Sequence, residues 1–209
     1  AKNIPVRGGN RDYTVTVQNT DVLSIDIDLS SPIDMGNLVV KPKQKGETTI
    51  TVKDNVTNET VDLKIKIVDS YLNLKVAHPA QVPYTGGENL FFINNSDRDF
   101  YLFDEKMEKK ECTGNYQFLI KNSTCYMILN FDKELNDKRT YEYNISNTSE
   151  RMFTLIEILL GIDWNMKADL INRSTRSASP VTMNAVDTET NIIQYFVAGS
   201  NDIPENILD

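Results

Sequence analysis

Leu38-Val39-Val40, then Lys41-Pro42-Lys43-Gln44-Lys45-Gly46, then Glu47-Thr48-Thr49-Ile50-Thr51-Val52, and after a short gap Val61-Asp62-Leu63-Lys64-Ile65-Lys66-Ile67, is the stretch that decides the fold. Its apolar residues recur every second position, so Ile50 and Val52 share one strand face, as do Val61, Leu63, Ile65 and Ile67, with Lys64 and Lys66 on the other. Gly46 and the Asn-rich segment 55–59 supply turns. The pattern predicts three strands closing a small β-sandwich. It divides the chain into an N-terminal module, residues 1–69, and a longer C-terminal part, residues 70–209.

Upstream the alternation continues. Tyr13-Thr14-Val15-Thr16-Val17 follows the tight turn Gly8-Gly9-Asn10. Leu23, Ile25 and Ile27 then line one face of a half-buried strand, with Ser24, Asp26 and Asp28 on its wet side. Ser30-Ser31-Pro32 and Asp34-Met35-Gly36 interrupt before the decisive stretch begins.

The order Gly-Gly, Tyr-x-Val-x-Val, Asp-Val-Leu-Ser-Ile, then Lys-Pro-Lys-x-Lys-Gly-Glu-Thr-Thr-Ile-Thr-Val resembles a bacterial Ig-like domain of group 2. The family's Lys-Gly-x-Thr-x-Ile-x-Val run, a turn and central strand, is matched by Lys45, Gly46, Thr48, Ile50 and Val52. The resemblance covers about residues 1–69, and the family's usual first strand is reduced to Ile4-Pro5-Val6. It implies a secreted or surface-displayed bacterial protein in which this domain is a spacer or an adhesive module, and it brings no catalytic residues. Likeness of fold says little about chemistry.

From Ser70 the pattern changes. Leu72, Leu74 and Val76 alternate once more, then His78-Pro79, Pro83 and Gly86-Gly87 mark an extended connection to about residue 88. Strands are expected at 89–93, 100–103, 116–121, 125–131 and 141–145, with a closing strand at 191–197. Residues 149–160 read as a helix with Met152, Leu155, Ile156 and Leu159 on one face, Ser149 as N-cap and Gly161 as C-cap. A strand is the rival there, because Phe153, Leu155 and Ile158 could line a sheet. Residues 162–164 are expected to pack this element onto the sheet, 173–180 to form a polar loop, and the tail after Gly199 to fray. The fold class is therefore mainly β: an N-terminal Ig-like β-sandwich followed by an antiparallel β-sandwich or barrel domain with one α-helix. In outline alone, with no signature residues, the second part resembles the compact lipocalin-like barrels found behind Ig-like modules in bacterial surface lipoproteins.

Composition narrows the function classes. A chain of 209 residues with 40% hydrophobic content can bury a core. A net charge of -8, with no run of Lys and Arg on one face, opposes nucleic-acid binding, which depends on displacing counterions from phosphates. No segment reaches the roughly 18 apolar residues of a membrane helix; the longest, 155–162, is broken by Glu157, so no transmembrane span is expected. The chain opens at Ala1-Lys2-Asn3 without Met or an apolar leader, which reads as a mature or trimmed form. The expected location is extracellular or at the cell surface, with a lipid anchor through a removed N-terminus as one route.

Candidate chemistry is sparse. His78 is the one histidine and lies in a connection; with Cys112 and Cys125 it leaves a tetrahedral zinc site short of ligands. The two cysteines read either as one disulfide or as two unrelated thiols. Asp97, Asp99, Asp104 and Glu105 form the densest acidic group, but without calcium-loop spacing, and read as a solvated turn. Neither Gly8-Gly9 nor Gly86-Gly87 leads into the helix that a phosphate loop needs. Asn-x-Ser/Thr triplets at Asn55, Asn58, Asn94, Asn122, Asn144, Asn147 and Asn172 read as turn chemistry rather than glycan acceptors.

Aromatic residues crowd the first half of the C-terminal part. They suit a β core, and they also suit an outer platform on which sugars or peptides stack; the platform would use Phe100, Tyr101, Tyr116, Tyr126, Tyr141 and Tyr143. The reading is a non-enzymatic binding or adhesion module for a glycan or a protein at the cell surface, with no cofactor and no metal. A glycan-acting hydrolase using Asp/Glu pairs and a purely structural surface subunit are the alternatives.

Overall fold

The computed structural model describes residues 2–30, 34–162, 181–200, 202–204 and 207–208. Ser31 and Pro32, residues 163–164, the loop expected at 173–180 and the triplet at Asn172 lie outside the described residues. The chain divides into two compact units, Ala1–Val68 and Asp69–Asp209.

The first unit holds β1 (Lys2–Val6), β2 (Tyr13–Val17), β3 (Leu23–Asp28), β4 (Gly36–Pro42), β5 (Gly46–Asp54) and β6 (Thr60–Ile67). They form two three-stranded antiparallel sheets, in the orders β1-β4-β3 and β2-β5-β6. The three strands of the decisive stretch therefore do not share a sheet: β4 is the centre of one and β5 the centre of the other. The link between them crosses from sheet to sheet, and the Lys43 and Gln44 N–H groups hold it by donating to the Val22 carbonyl, at 2.9 and 3.2 Å. Ile4-Pro5-Val6, which looked like a remnant, belongs to a full strand paired along β4. Leu23, Val40 and Ile50 are buried between the sheets, as the alternation requires. Gly9 is needed where it stands: at φ +97°, a Cβ there would sit 2.7 Å from the Tyr13 ring and 2.8 Å from the Asp54 carboxylate.

The second unit holds β7 (Tyr71–Val76), β8 (Asn89–Ile93), β9 (Asp99–Phe103), β10 (Lys110–Lys121), β11 (Thr124–Leu135), β12 (Lys138–Asn144), α1 (Glu150–Leu160), β13 (Thr182–Asp187) and β14 (Ile193–Ala198). Of the two architectures expected, it is the barrel. Eight antiparallel strands run up and down in chain order, and β14 closes onto β7 with Phe196 opposite Val76 and Val197 opposite Lys75. Closure leaves the sheet without a free edge. Strand β10 begins at Lys110, ahead of the strand expected at 116–121, and β13 is a strand that the sequence reading lacks.

The helix forms where its caps put it. Ser149 accepts from the Met152 N–H, and Gly161, in the left-handed region, sends its N–H to the Glu157 carbonyl. Met152, Phe153, Ile156 and Leu159 enter the barrel core, while Leu155 is only partly buried and Phe153 takes the place expected of it. Aromatic side chains fill the interior edge to face: Phe92 on Tyr116, Phe100 on Phe131, each with ring centres 5.0 Å apart. Gly114 makes room for this; a Cβ there would lie 2.1 Å from the Asn130 carbonyl oxygen and 2.7 Å from the Phe100 ring. Cys112 on β10 and Cys125 on β11 are both buried and free, so the thiol reading holds and the disulfide does not.

Candidate functional site

An up-and-down barrel has two ends. At one, α1 packs into the core; at the other lie the connection 77–88, the turns 104–109 and 187–192, and the β11–β12 turn. The connection 77–88 folds over that second end, the mouth. Backbone and side-chain bonds fix it there: Ala77 N–H to the Tyr195 carbonyl, Gly87 N–H to the Val76 carbonyl, and Gln81 N–H to Gln194 Oε1 at 2.8 Å. Glu88 organises its second half, accepting from the Thr85 N–H, the Thr85 hydroxyl and the Gly86 N–H at 2.5–2.6 Å. Burial pushes the Glu88 carboxyl up, but these donors outweigh it and hold it below the usual carboxylate value. His78 lies against Gly86, where a Cβ would come within 2.3 Å of the imidazole. The histidine thus has a packing role in the connection.

The connection places one side chain inside the barrel. Tyr84 is buried, its ring edge-on to Phe196 at 5.6 Å, and its hydroxyl approaches that of Tyr143. The two phenols lie close enough to shift each other's ionisation, yet among the described residues neither hydroxyl makes a hydrogen bond of normal geometry. Burial raises both far above the ordinary phenol value. They therefore stay protonated and remain hydrogen-bond donors at any physiological pH. Cys112 and Cys125 are likewise driven away from the thiolate, to about 11, chiefly by burial, so neither is poised as a nucleophile.

Between charged and polar turns, one part of the outer surface at the mouth is apolar. Val82, Ile192, Ile193 and Tyr195 are exposed, Val82 at 61% and Tyr195 at 44%. The Gln81–Gln194 bond sets the connection beside β14, whose outward residues are Ile193 and Tyr195. Gln194 and Phe196 face inward instead, with Gln194 only 2% exposed.

The structure separates the six aromatics of the expected platform. Phe100, Tyr116, Tyr141 and Tyr143 are buried inside the barrel, because strand alternation puts them on its inner face. Two of their hydroxyls are satisfied there: Tyr116 donates to the Ile93 carbonyl and Tyr141 to that of Leu135. Tyr101 and Tyr126 are on the outside and half-buried. They face Thr113 and Leu119 of β10, roughly 20 Å apart along that strand, and so do not form one surface. The acidic group resolves into turn chemistry: Asp104 accepts from the Glu108 and Lys109 N–H groups, Glu105 pairs with Lys75 at 3.1 Å, and Asp99 accepts from Asn95. Among the described residues no group of His, Cys, Asp and Glu is arranged to hold a metal.

Tyr84 and the β14 rim are the functional candidates that reading the sequence missed. Tyr84 sits between Pro83 and Gly86-Gly87, where turn residues hide any periodicity. In β14 the apolar Ile193 and Tyr195 point out and the polar Gln194 points in, the reverse of what hydrophobicity suggests. Comparison with protein-family models, with curated proteins and with solved structures finds no significant match for this chain.

Proposed function

We propose that this chain is a non-enzymatic binding module of a secreted or surface-anchored bacterial protein, and that the barrel mouth is its binding face. The observation that carries this reading is the rim of Val82, Ile192, Ile193 and Tyr195. These are large apolar side chains left in water beside a connection held in place by hydrogen bonds. Surfaces that bind proteins or sugars combine an aromatic residue with apolar neighbours on a fixed backbone. The Ig-like reading of residues 1–69 supplies the surface location and the role of spacer, and the pair of three-stranded antiparallel sheets in that unit is compatible with it.

Asp54, Glu88 and Asp187 are each held below the ordinary carboxylate value by turn N–H groups, against the opposing effect of burial, so these three are not tuned as the general acid of a glycoside hydrolase, which needs the opposite shift. The test is a glycan and peptide array probed with the intact protein and with Tyr195→Ala and Ile193→Ser. Binding by the wild type that both substitutions abolish supports the mouth. Binding that survives them moves the site elsewhere, and an array that stays blank favours a purely structural subunit.

A further inference from the structure

Strand β6 ends its sheet. The order is β2-β5-β6, and among the described residues no strand follows β6. It is eight residues long and alternates without interruption, with Thr60, Asp62, Lys64 and Lys66 exposed on one face. On the other face Leu63, Ile65 and Ile67 are only half-buried, and Val61 is 60% exposed. A long, regular, partly apolar edge of this kind is a template for another strand. Its sequence identifies which one.

We propose that β6 pairs antiparallel with β6 of a second copy of this chain, about a two-fold axis through Leu63. In that register Leu63 faces the second copy's Leu63, Val61 faces Ile65, Asp62 faces Lys64 and Thr60 faces Lys66, each contact occurring twice except the first. Val61, Leu63 and Ile65 thus meet only apolar partners and Asp62 meets Lys64 as its opposite charge, while Ile67 at the end of the strand falls opposite Glu59. Neighbouring axes each bring like charges together. An axis at Lys64 sets Lys64 against its own copy, an axis at Asp62 sets Asp62 against its own copy, and an axis at Ile65 sets Lys64 against Lys66 twice. Like charges directly opposite are unfavourable, so the lysines that guard the edge against other registers and other strands admit this one.

The charged side chains are available for it. Asp62 accepts from the Thr51 hydroxyl through one oxygen, Oδ1, which leaves Oδ2 for the second copy's lysine. Lys64 lies opposite Thr49 of β5, so its nearest neighbour on that side carries no charge. The product is a six-stranded sheet in which β6 is internal, an isologous contact of the kind two-fold dimers use. It places two barrels on one assembly, and it does not depend on what the mouth binds.

The test is sedimentation of the full chain across a dilution series, with Asp62→Lys, Lys64→Asp, the double variant, and an equal mixture of the two single variants. Each single variant sets two like-charge pairs across the axis and should weaken self-association by about tenfold or more. The double variant restores opposite pairs and should recover the dimer. So should the mixture, because the two lysines of the Asp62→Lys chain then meet the two aspartates of the Lys64→Asp chain, while each component alone stays monomeric. Circular dichroism of the single variants confirms that the fold is kept. A wild type that is monomeric at every concentration overturns the proposal, as does a dimer indifferent to the charge exchange.

Discussion

Asp54 and Asp187, one in each unit, close their hairpins with the same set of bonds. Each carboxylate Oδ1 accepts from the N–H groups two and three residues on, Val56 and Thr57 in one case, Glu189 and Thr190 in the other. Each carbonyl accepts from an asparagine four residues on, Asn58 at 2.8 Å and Asn191 at 2.9 Å, and both asparagines are left-handed, at φ 62° and 58°. Thr57 and Thr190 then accept from the N–H two residues further along. Two sheets of different architecture thus use one Asp-x-x-Thr-Asn device to reverse the chain.

The left-handed asparagines give the first prediction. Replacing Asn58 or Asn191 by Val forces a β-branched residue to positive φ and should lower stability by about 1–3 kcal/mol. Glycine at either position should stay within a few tenths of a kcal/mol of wild type. Urea midpoints at constant m-value read the difference.

Acid should weaken the fold in a defined window. The carboxyls of Asp54, Glu88 and Asp187 lie below their ordinary values in the folded chain. Above about pH 5.5 both folded and unfolded chains are ionised there, and the stabilisation is fully present. As pH falls, the unfolded chain takes up protons first, and stability is lost progressively until the folded carboxyls protonate too. Thermal midpoints should therefore begin to drop below about pH 5, and Asp187→Asn should flatten that drop while lowering the neutral-pH plateau. An unaltered slope in the variant refutes the assignment.

The phenol pair at the mouth predicts an unusual sign. Tyr84→Phe and Tyr143→Phe each remove a buried hydroxyl that lacks a hydrogen bond, so each should leave stability unchanged or raise it by up to about 1–3 kcal/mol. Because the two hydroxyls are neighbours, a double-mutant cycle should show the changes coupled by about 0.5 kcal/mol or more. Strict additivity would place the hydroxyls out of contact.

Core and surface aromatics should differ sharply. Phe92→Ala, at the centre of the edge-to-face cluster, should cost about 3–5 kcal/mol. Tyr101→Ala, with its ring outside under Lys110, should cost less than about 1 kcal/mol. Gly114→Ala should also destabilise, because its Cβ would meet the β11 backbone. Chemical denaturation of the three variants decides the ranking.

Much of this fold was legible because most strands are half-buried and the helix carries its own punctuation. Leu23-Ser24-Ile25-Asp26-Ile27 and Val61 to Ile67 alternate plainly, and Ser149 and Gly161 bracket the helix. The sheet in which each strand lies was not legible, since alternation gives a face and no partner; β4 and β5 look alike and belong to different sheets. Strand β13 escaped because Met183, Ala185 and Asp187 point inward, a weak apolar row broken by a buried turn-capping acid. The aromatic platform failed for a related reason: a closed barrel has as many inward as outward positions, and composition cannot say which set Phe100 or Tyr143 occupies. The mouth depends on Tyr84, reached only through a connection whose course the sequence does not encode by period.

The closure of β14 onto β7 also sets a timetable for synthesis. Lys75 leaves the ribosome long before Val197, its partner across the seam, so β7 must wait with one edge unpaired while the rest of the barrel is made. The first unit, whose strands are complete by Ile67, has all its own partners much earlier. Nascent chains arrested before Ile193 should therefore carry a protease-resistant N-terminal unit, about a third of their length, joined to a degradable remainder, and the seam is the step at which a chaperone would be needed.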